Sequence, residues 1–230
     1  MARYWPSVVS PAKVSFFPEL VSASGGPAFG GSEQVVFSSA GRWRAQLQMS
    51  VRLRHAGGAL RERVLAARAT VAYLKGRSNT IYIGPYDSFN APGAIVGISQ
   101  GAFNILHSDG SPFSDGFGYT QIATYATLAA ALAQGAMAAT IALSSTGEIV
   151  AGQYFGLGSS ELYLIDSASF DGVNYDVTFW PPARTAHLAG EQVNFDTPTC
   201  EMRLAADSSG QLAFAPGFVA DQELDLVEAL

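Results

Sequence analysis

Three histidines (His55, His107 and His187), one cysteine (Cys200) and 19 carboxylates are the side chains from which hydrolytic, redox or metal chemistry would have to be built. The histidines stand far apart in the chain. They share neither the H-x-x-x-H nor the H-E-x-x-H spacing that sets two imidazoles on one helix face. Asp109 and Asp115 lie near His107 in a stretch rich in Gly and Ser, where Asp is more often a turn residue than a metal ligand. No loop alternates acids and closes on Glu as a calcium loop does. There is no G-x-S-x-G elbow and no Walker phosphate loop. The glycine clusters at 25–31 and 156–158 do not join a strand to a helix within a βαβ unit, the setting that cradles phosphate. His107, Ser108 and Asp109 have the letters of a triad, but adjacent residues cannot reach the relay geometry. Cys200 sits among apolar, strand-forming residues and reads as a core thiol. A lone cysteine excludes an intrachain disulfide or a multi-cysteine metal site and fits a reducing cytoplasm. The expectation is a protein that is not an enzyme, with no cofactor and no metal.

Charge is the more informative signal. The net charge is −6, so whole-molecule attraction to nucleic acid or an anionic membrane is not expected. Residues 1–77 nevertheless hold 11 Lys and Arg against 3 acids, a net +8, whereas residues 78–230 hold 2 against 16, a net −14. Such a split predicts either pairing within the chain or docking of copies head to tail. Arg42, Arg44, Arg52, Arg54, Arg61, Arg63 and Arg68 are the candidate subunit-interface residues. A phosphate-tracking stripe is the poorer reading, because only Tyr73 interleaves the basic run from Arg52 to Arg77.

These side chains need elements to position them. The 230 residues suit one domain or two small ones, and 48% hydrophobic residues can build a core. Charged residues are only 14%, and 24 Gly with 11 Pro indicate many turns, so the chain is expected to be mainly β. From Arg42 to Arg54, apolar and polar residues alternate without a break, which predicts a long strand with one buried face and one basic face. Ser38 to Gly41 predicts a turn before it, and Val21 to Ser32 a flexible loop. Leu60, Val64, Ala67, Val71 and Leu74 form one apolar stripe of a helix over 59–75, with Gly76 as its stop. Residues 33–84 therefore read β-β-α-β. Further strands are expected at 139–144, 173–179, 192–195, 200–204, 212–214 and 223–228, with a hairpin from Ile149 to Asp166. Residues 108–118 form a long loop of Asx-type turns, and Ala126 to Ala138 suits helix or strand. The longest apolar stretch, Leu128 to Leu143, is too short and too polar to span a bilayer.

Several phrases, in order, resemble phage minor tail proteins, in particular the distal tail protein class of long-tailed phages and gene transfer agents. They are Gly41-Arg42-Trp43, Leu74 to Arg77 followed by Asn79 to Tyr86, His107 to Gly116, Ala151 to Gly158 with Leu162 to Ile165, Val177 to Arg184, Met202 to Leu204 and the end from Val227. The resemblance covers much of residues 41–230 and carries no catalytic signature. It implies a β-sandwich belt domain with one α-helix plus a smaller inserted β domain. Mapped here, residues 1–86 are the first part of the belt, 87–184 the inserted β domain with the long loop, and 185–230 the closing strands. It further implies a hexameric adaptor ring in the virion, at the phage tail tip, made in the bacterial host cytoplasm. Its partners would be further copies of itself, the tail tube protein, the tail hub and tip proteins and a tape-measure protein, with no nucleic acid and no membrane. Two alternatives stand beside it. One is another tail-tip subunit, at the hub or tube end. The other is a carbohydrate-binding β domain, suggested by the aromatics Tyr154, Tyr163, Tyr175 and Trp180, although no dedicated carbohydrate-binding module is visible.

Overall fold

The computed structural model describes residues 3–9, 11–27, 30–31, 33–51, 58–87, 89–92, 124–145, 147–209 and 220–230. His55, His107, Ser108, Asp109, Asp115, Arg52, Arg54, the 108–118 loop and the strand expected at 212–214 lie outside them. In chain order the elements are β1 (Arg3–Tyr4), β2 (Lys13–Pro27), β3 (Glu33–Val51), α1 (Gly58–Leu74), β4 (Ile81–Ile83), β5 (Ala126–Leu128) and β6 (Ala138–Leu143). They continue with β7 (Tyr154–Leu157), β8 (Glu161–Phe170), β9 (Tyr175–Trp180), β10 (Gln192–Val193), β11 (Cys200–Leu204) and β12 (Ala220–Glu228). The fold is mainly β, with twelve strands and one helix among the described residues. Among the described residues, no helix is long and apolar enough to cross a membrane.

Two compact units divide the chain: Met1–Pro85 with Thr199–Leu230, and Tyr86–Pro198 between them. The first is built on a six-stranded sheet in the order β1-β4-β11-β12-β3-β2. Its neighbours pair antiparallel except β1 with β4. The period-2 pattern of β3 buries Trp43, Ala45 and Leu47, and the same alternation buries Cys200, Met202 and Leu204 on β11 and Leu224 and Leu226 on β12. One departure from the sequence reading lies at the start of this sheet. The turn expected at Ser38–Gly41 and the loop expected over Val21–Ser32 are largely strand instead. β3 runs 19 residues without interruption, and β2 pairs with it from Lys13↔Gln48 to Pro27↔Glu33. Two register shifts, at Glu19/Val21 and Ser24/Pro27, absorb the irregular backbone. Cross-strand hydrogen bonds thus overrule the local turn preference of Gly and Ser.

The helix ends where the sequence places its stop. Lys75 and Gly76 take left-handed φ values of 46° and 64°. A Cβ on Gly76 would lie 2.6 Å from Asp207 Oδ1, which itself accepts from Arg77 N at 3.1 Å. Asn79 donates from its side chain to Tyr73 O at 2.5 Å and from its backbone to Leu74 O at 3.1 Å, so the last turn keeps two of its carbonyls paired.

The second unit is a six-stranded antiparallel sheet in the order β10-β5-β6-β9-β8-β7. Its two edges meet: Gly156 of β7 and Asn194, just past β10, exchange backbone hydrogen bonds of 2.8 and 2.9 Å. The sheet therefore curls into a small barrel. Phe155, Tyr163, Phe179 and Phe195, none of them exposed, fill its interior. Phe155 is their hub, with ring centroids 5.2 Å from Tyr163, 5.4 Å from Phe179 and 6.0 Å from Phe195. Asn90, buried, clips the closing seam. It accepts from Tyr154 N at 2.5 Å and donates to Tyr154 O and Phe195 O, both at 2.7 Å. Residues 185–198, grouped by the sequence with the closing strands of the first unit, belong to this barrel, because β10 pairs β5 and Asn194 completes the seam. The alanine-rich stretch from Ala126 supplies only the short strand β5, followed by turns.

Candidate subunit interface

Of the seven arginines expected at the interface, Arg52 and Arg54 lie outside the described residues, and the other five fall on β3 and α1. Arg42 and Arg44 stand two residues apart on β3, on the face opposite Trp43, Ala45 and Leu47, and both are partly exposed. Their neighbours across the sheet are acidic. Arg42 Nε donates to Glu19 Oε2 on β2 at 2.7 Å. Arg44 donates to Glu19 Oε1 at 3.3 Å and grips Asp225 on β12 with two nitrogens, at 3.0 and 2.6 Å. The register explains the geometry: Glu19 lies opposite Arg42, and Asp225 opposite Gln46, one diagonal step from Arg44. The hydrogen bond from Arg42 holds the Glu19 carboxyl below the usual range, against the opposing effect of its burial, and the charges of Arg42 and Arg44 add to this. The hydrogen bond and charge of Asp225 raise Arg44 still further above neutrality. Part of the charge split is thus settled inside the first unit, and Arg44–Asp225 joins its basic and acidic segments.

α1 carries Arg61, Arg63 and Arg68. Arg61 and Arg68 are exposed and Arg63 is half-buried, while Ala67 and Leu74 on the same helix are buried. Arg61 and Arg68, seven residues apart, share a helix face. Among the described residues, no ion pair involves Arg61 or Arg63. The acidic partners Glu19 and Asp225 were not singled out from the sequence. Glu19 had a signal, being one of only 3 acids before residue 78. Asp225 had none, because its approach to Arg44 spans 181 positions.

A second polar cluster also escaped the sequence reading. His187, buried in the barrel unit, places Nε2 2.9 Å from Glu161 Oε2 and Nδ1 3.0 Å from Glu191 Oε1. Glu161 also accepts from Tyr163 Oη at 2.5 Å and from Thr185 Oγ1 at 2.7 Å, and Arg184 N donates to Tyr163 Oη at 2.9 Å. Burial pushes the Glu161 carboxyl up, but the hydrogen bonds from Tyr163, Thr185 and His187 outweigh it and hold it below the usual range. Burial and the Glu161 bond push the Tyr163 phenol far up. The i,i+4 spacing of His187 and Glu191 was visible, but Glu161 lies 26 positions upstream. Among the described residues, no group of three or more His, Cys, Asp or Glu side chains is arranged to hold a metal ion.

The aromatics that suggested a sugar platform differ in exposure. Tyr163 is fully buried in the barrel interior and Trp180 is 9% exposed, while Tyr154 and Tyr175 are only partly exposed. Burial, with the Asp87 charge, raises the Tyr154 phenol. Cys200 is buried in the first sheet.

The class defined by these observations is a mainly β protein of two units, a helix-bearing sheet interrupted by a small antiparallel barrel. No family model and no curated protein matches the chain.

Proposed function

We propose that this chain is a structural subunit of a bacteriophage tail tip, and specifically of a distal adaptor ring that links the tail tube to the hub. The observation that carries the reading is the division of basic charge in the first unit. Arg42 and Arg44 are paired within the sheet with Glu19 and Asp225, while Arg61 stands exposed on α1. The remaining segments carry a net −14 after residue 77. A helix that presents the exposed Arg61, on a chain otherwise rich in acids, suits head-to-tail contacts between identical copies, which close into a ring when the rotation allows. The ordered resemblance to distal tail proteins supports the same reading, and so does a sheet-based unit whose chain is interrupted by a second β unit. In this role the chain is not an enzyme, and it works through its surfaces on further copies, the tube protein and the hub.

Native mass spectrometry across a salt series tests the proposal. A closed ring, expected as a hexamer, should form at low ionic strength and dissociate as screening rises, because exposed charges more than a Debye length apart cease to interact. The charge-reversed variant Arg61→Glu should dissociate at lower salt than the parent. Monomer under every condition, with no binding to tail tube protein, would overturn the reading.

A further inference from the structure

We propose that His187 is a proton-operated latch on the closing seam of the barrel. When charged, its imidazolium ties β8 to the segment that leads into β10, and loss of the proton releases that tie.

The seam is the place where such a device acts with most effect. β7 and β10 meet at one backbone bridge, Gly156↔Asn194, whereas every other neighbouring pair in the barrel is joined over at least two residues. The His187 ring adds a side-chain tie near this end of the sheet. Its Nε2 faces Glu161 at the start of β8, one strand beyond β7, and its Nδ1 faces Glu191, the residue before β10. Backbone bonds hold the segment to the other side, where His187 and Leu132 exchange two of 2.9 Å and Gly190 N donates to Leu128 O at 2.8 Å, while Arg184 N just before it donates to Tyr163 Oη of β8 at 2.9 Å. The His187 ring and Thr185, which donates to Glu161 at 2.7 Å, both reach β8 from this segment.

Both ring nitrogens face carboxylate oxygens. An imidazolium has two N–H donors and satisfies both; a neutral imidazole has one and must turn a lone pair toward the other carboxylate. His187 is only 6% exposed, so that mismatch is poorly relieved by water. A neutral ring that keeps its proton on Nδ1, for Glu191 four residues on in the same segment, turns its Nε2 lone pair toward Glu161 and loses the tie to β8. The charged and titratable groups around the ring are Glu161 and, behind it, Tyr163 from β8, Arg184, whose charge reaches Tyr163, and Glu191 from its own segment. Residues 129–136, packed on the other side through Leu132, contribute no titratable group. Burial pulls the imidazole pKa down, but the bonds and charges of Glu161 and Glu191 overcome it and leave the pKa raised. A raised folded-state pKa means the stabilisation is complete below the ordinary imidazole range of about 6.5 and is lost as pH climbs through the folded value.

The test uses the full chain with His55→Gln and His107→Gln, which leaves one imidazole to observe. Its Cε1 proton should titrate above the ordinary histidine range. Amide-exchange protection at Gly156 and Asn194 should fall about tenfold per pH unit between the ordinary and the folded midpoint, after correction for intrinsic exchange. Glu191→Gln should bring the midpoint back toward the ordinary value, and His187→Gln should leave protection at the seam independent of pH. If His187→Gln does not fold, the titration and the exchange profile of the single-histidine chain still decide. An imidazole that titrates at or below the ordinary range, or seam protection that does not change as it titrates, would overturn the latch.

Discussion

Arg44 is the residue on which the chemistry of the first unit turns. Its guanidinium joins Glu19 on β2 to Asp225 on β12, so one side chain on β3 ties both of its neighbouring strands. The three side chains are a quarter to a third exposed, and exposed ion pairs contribute only about 0.2–1 kcal/mol. Arg44→Ala should therefore lower stability by about that amount in chemical denaturation at low salt, and by less at high salt. A loss of several kcal/mol would mean that the alkyl stem, rather than the charge, carries the contact. The pH response has the carboxylate sign: the depressed Glu19 contributes above the ordinary carboxylate range and loses its contribution as pH falls. The arginines on β3 were legible in the sequence because alternation over 13 residues states which side chains share a face. Their partners were not, because strand order decides them, and strand order is long-range.

Among the elements, α1 and the strands around it show how local and distant forces divide. The helix and its stop were both legible. Apolar residues at offsets of four and three mark its face, and Gly76 follows the last of them. The tertiary structure adds a second reason for that glycine: Asp207, from the far end of the chain, occupies the space a Cβ would take. Gly76→Ala should cost about 1–3 kcal/mol from the left-handed φ, with the displacement of Asp207 adding to it. An effect within a few tenths of a kcal/mol would show that the turn relaxes freely. β2 is the opposite case. Gly, Ser and Pro over Val21–Pro27 argue for a loop, yet the segment is strand, because each residue laid against β3 finds backbone partners that a loop would have to seek in water.

The molecule as a whole is two units with separate cores, one interrupting the other. The barrel core rests on Phe155, which touches three other aromatic rings, and removing a buried Phe side chain costs about 3–5 kcal/mol. Phe155→Ala should lower one calorimetric transition and leave a second in place. A single transition that shifts as a whole would show that the two units unfold as one cooperative block.

Composition and periodicity by themselves determined that this protein is mainly β with a helix near residues 59–75, and that its cations gather before residue 78. Those properties are local, since the side-chain period and the identity of a charge do not depend on what lies across the sheet. Only the tertiary structure decided that β2 is strand to Pro27, that residues 185–198 close the barrel, and that His187 stands between two carboxylates. Each of these depends on partners brought together by strand pairing and burial. Backbone hydrogen bonding and the exclusion of water act on neighbours in space, and a linear pattern does not name them.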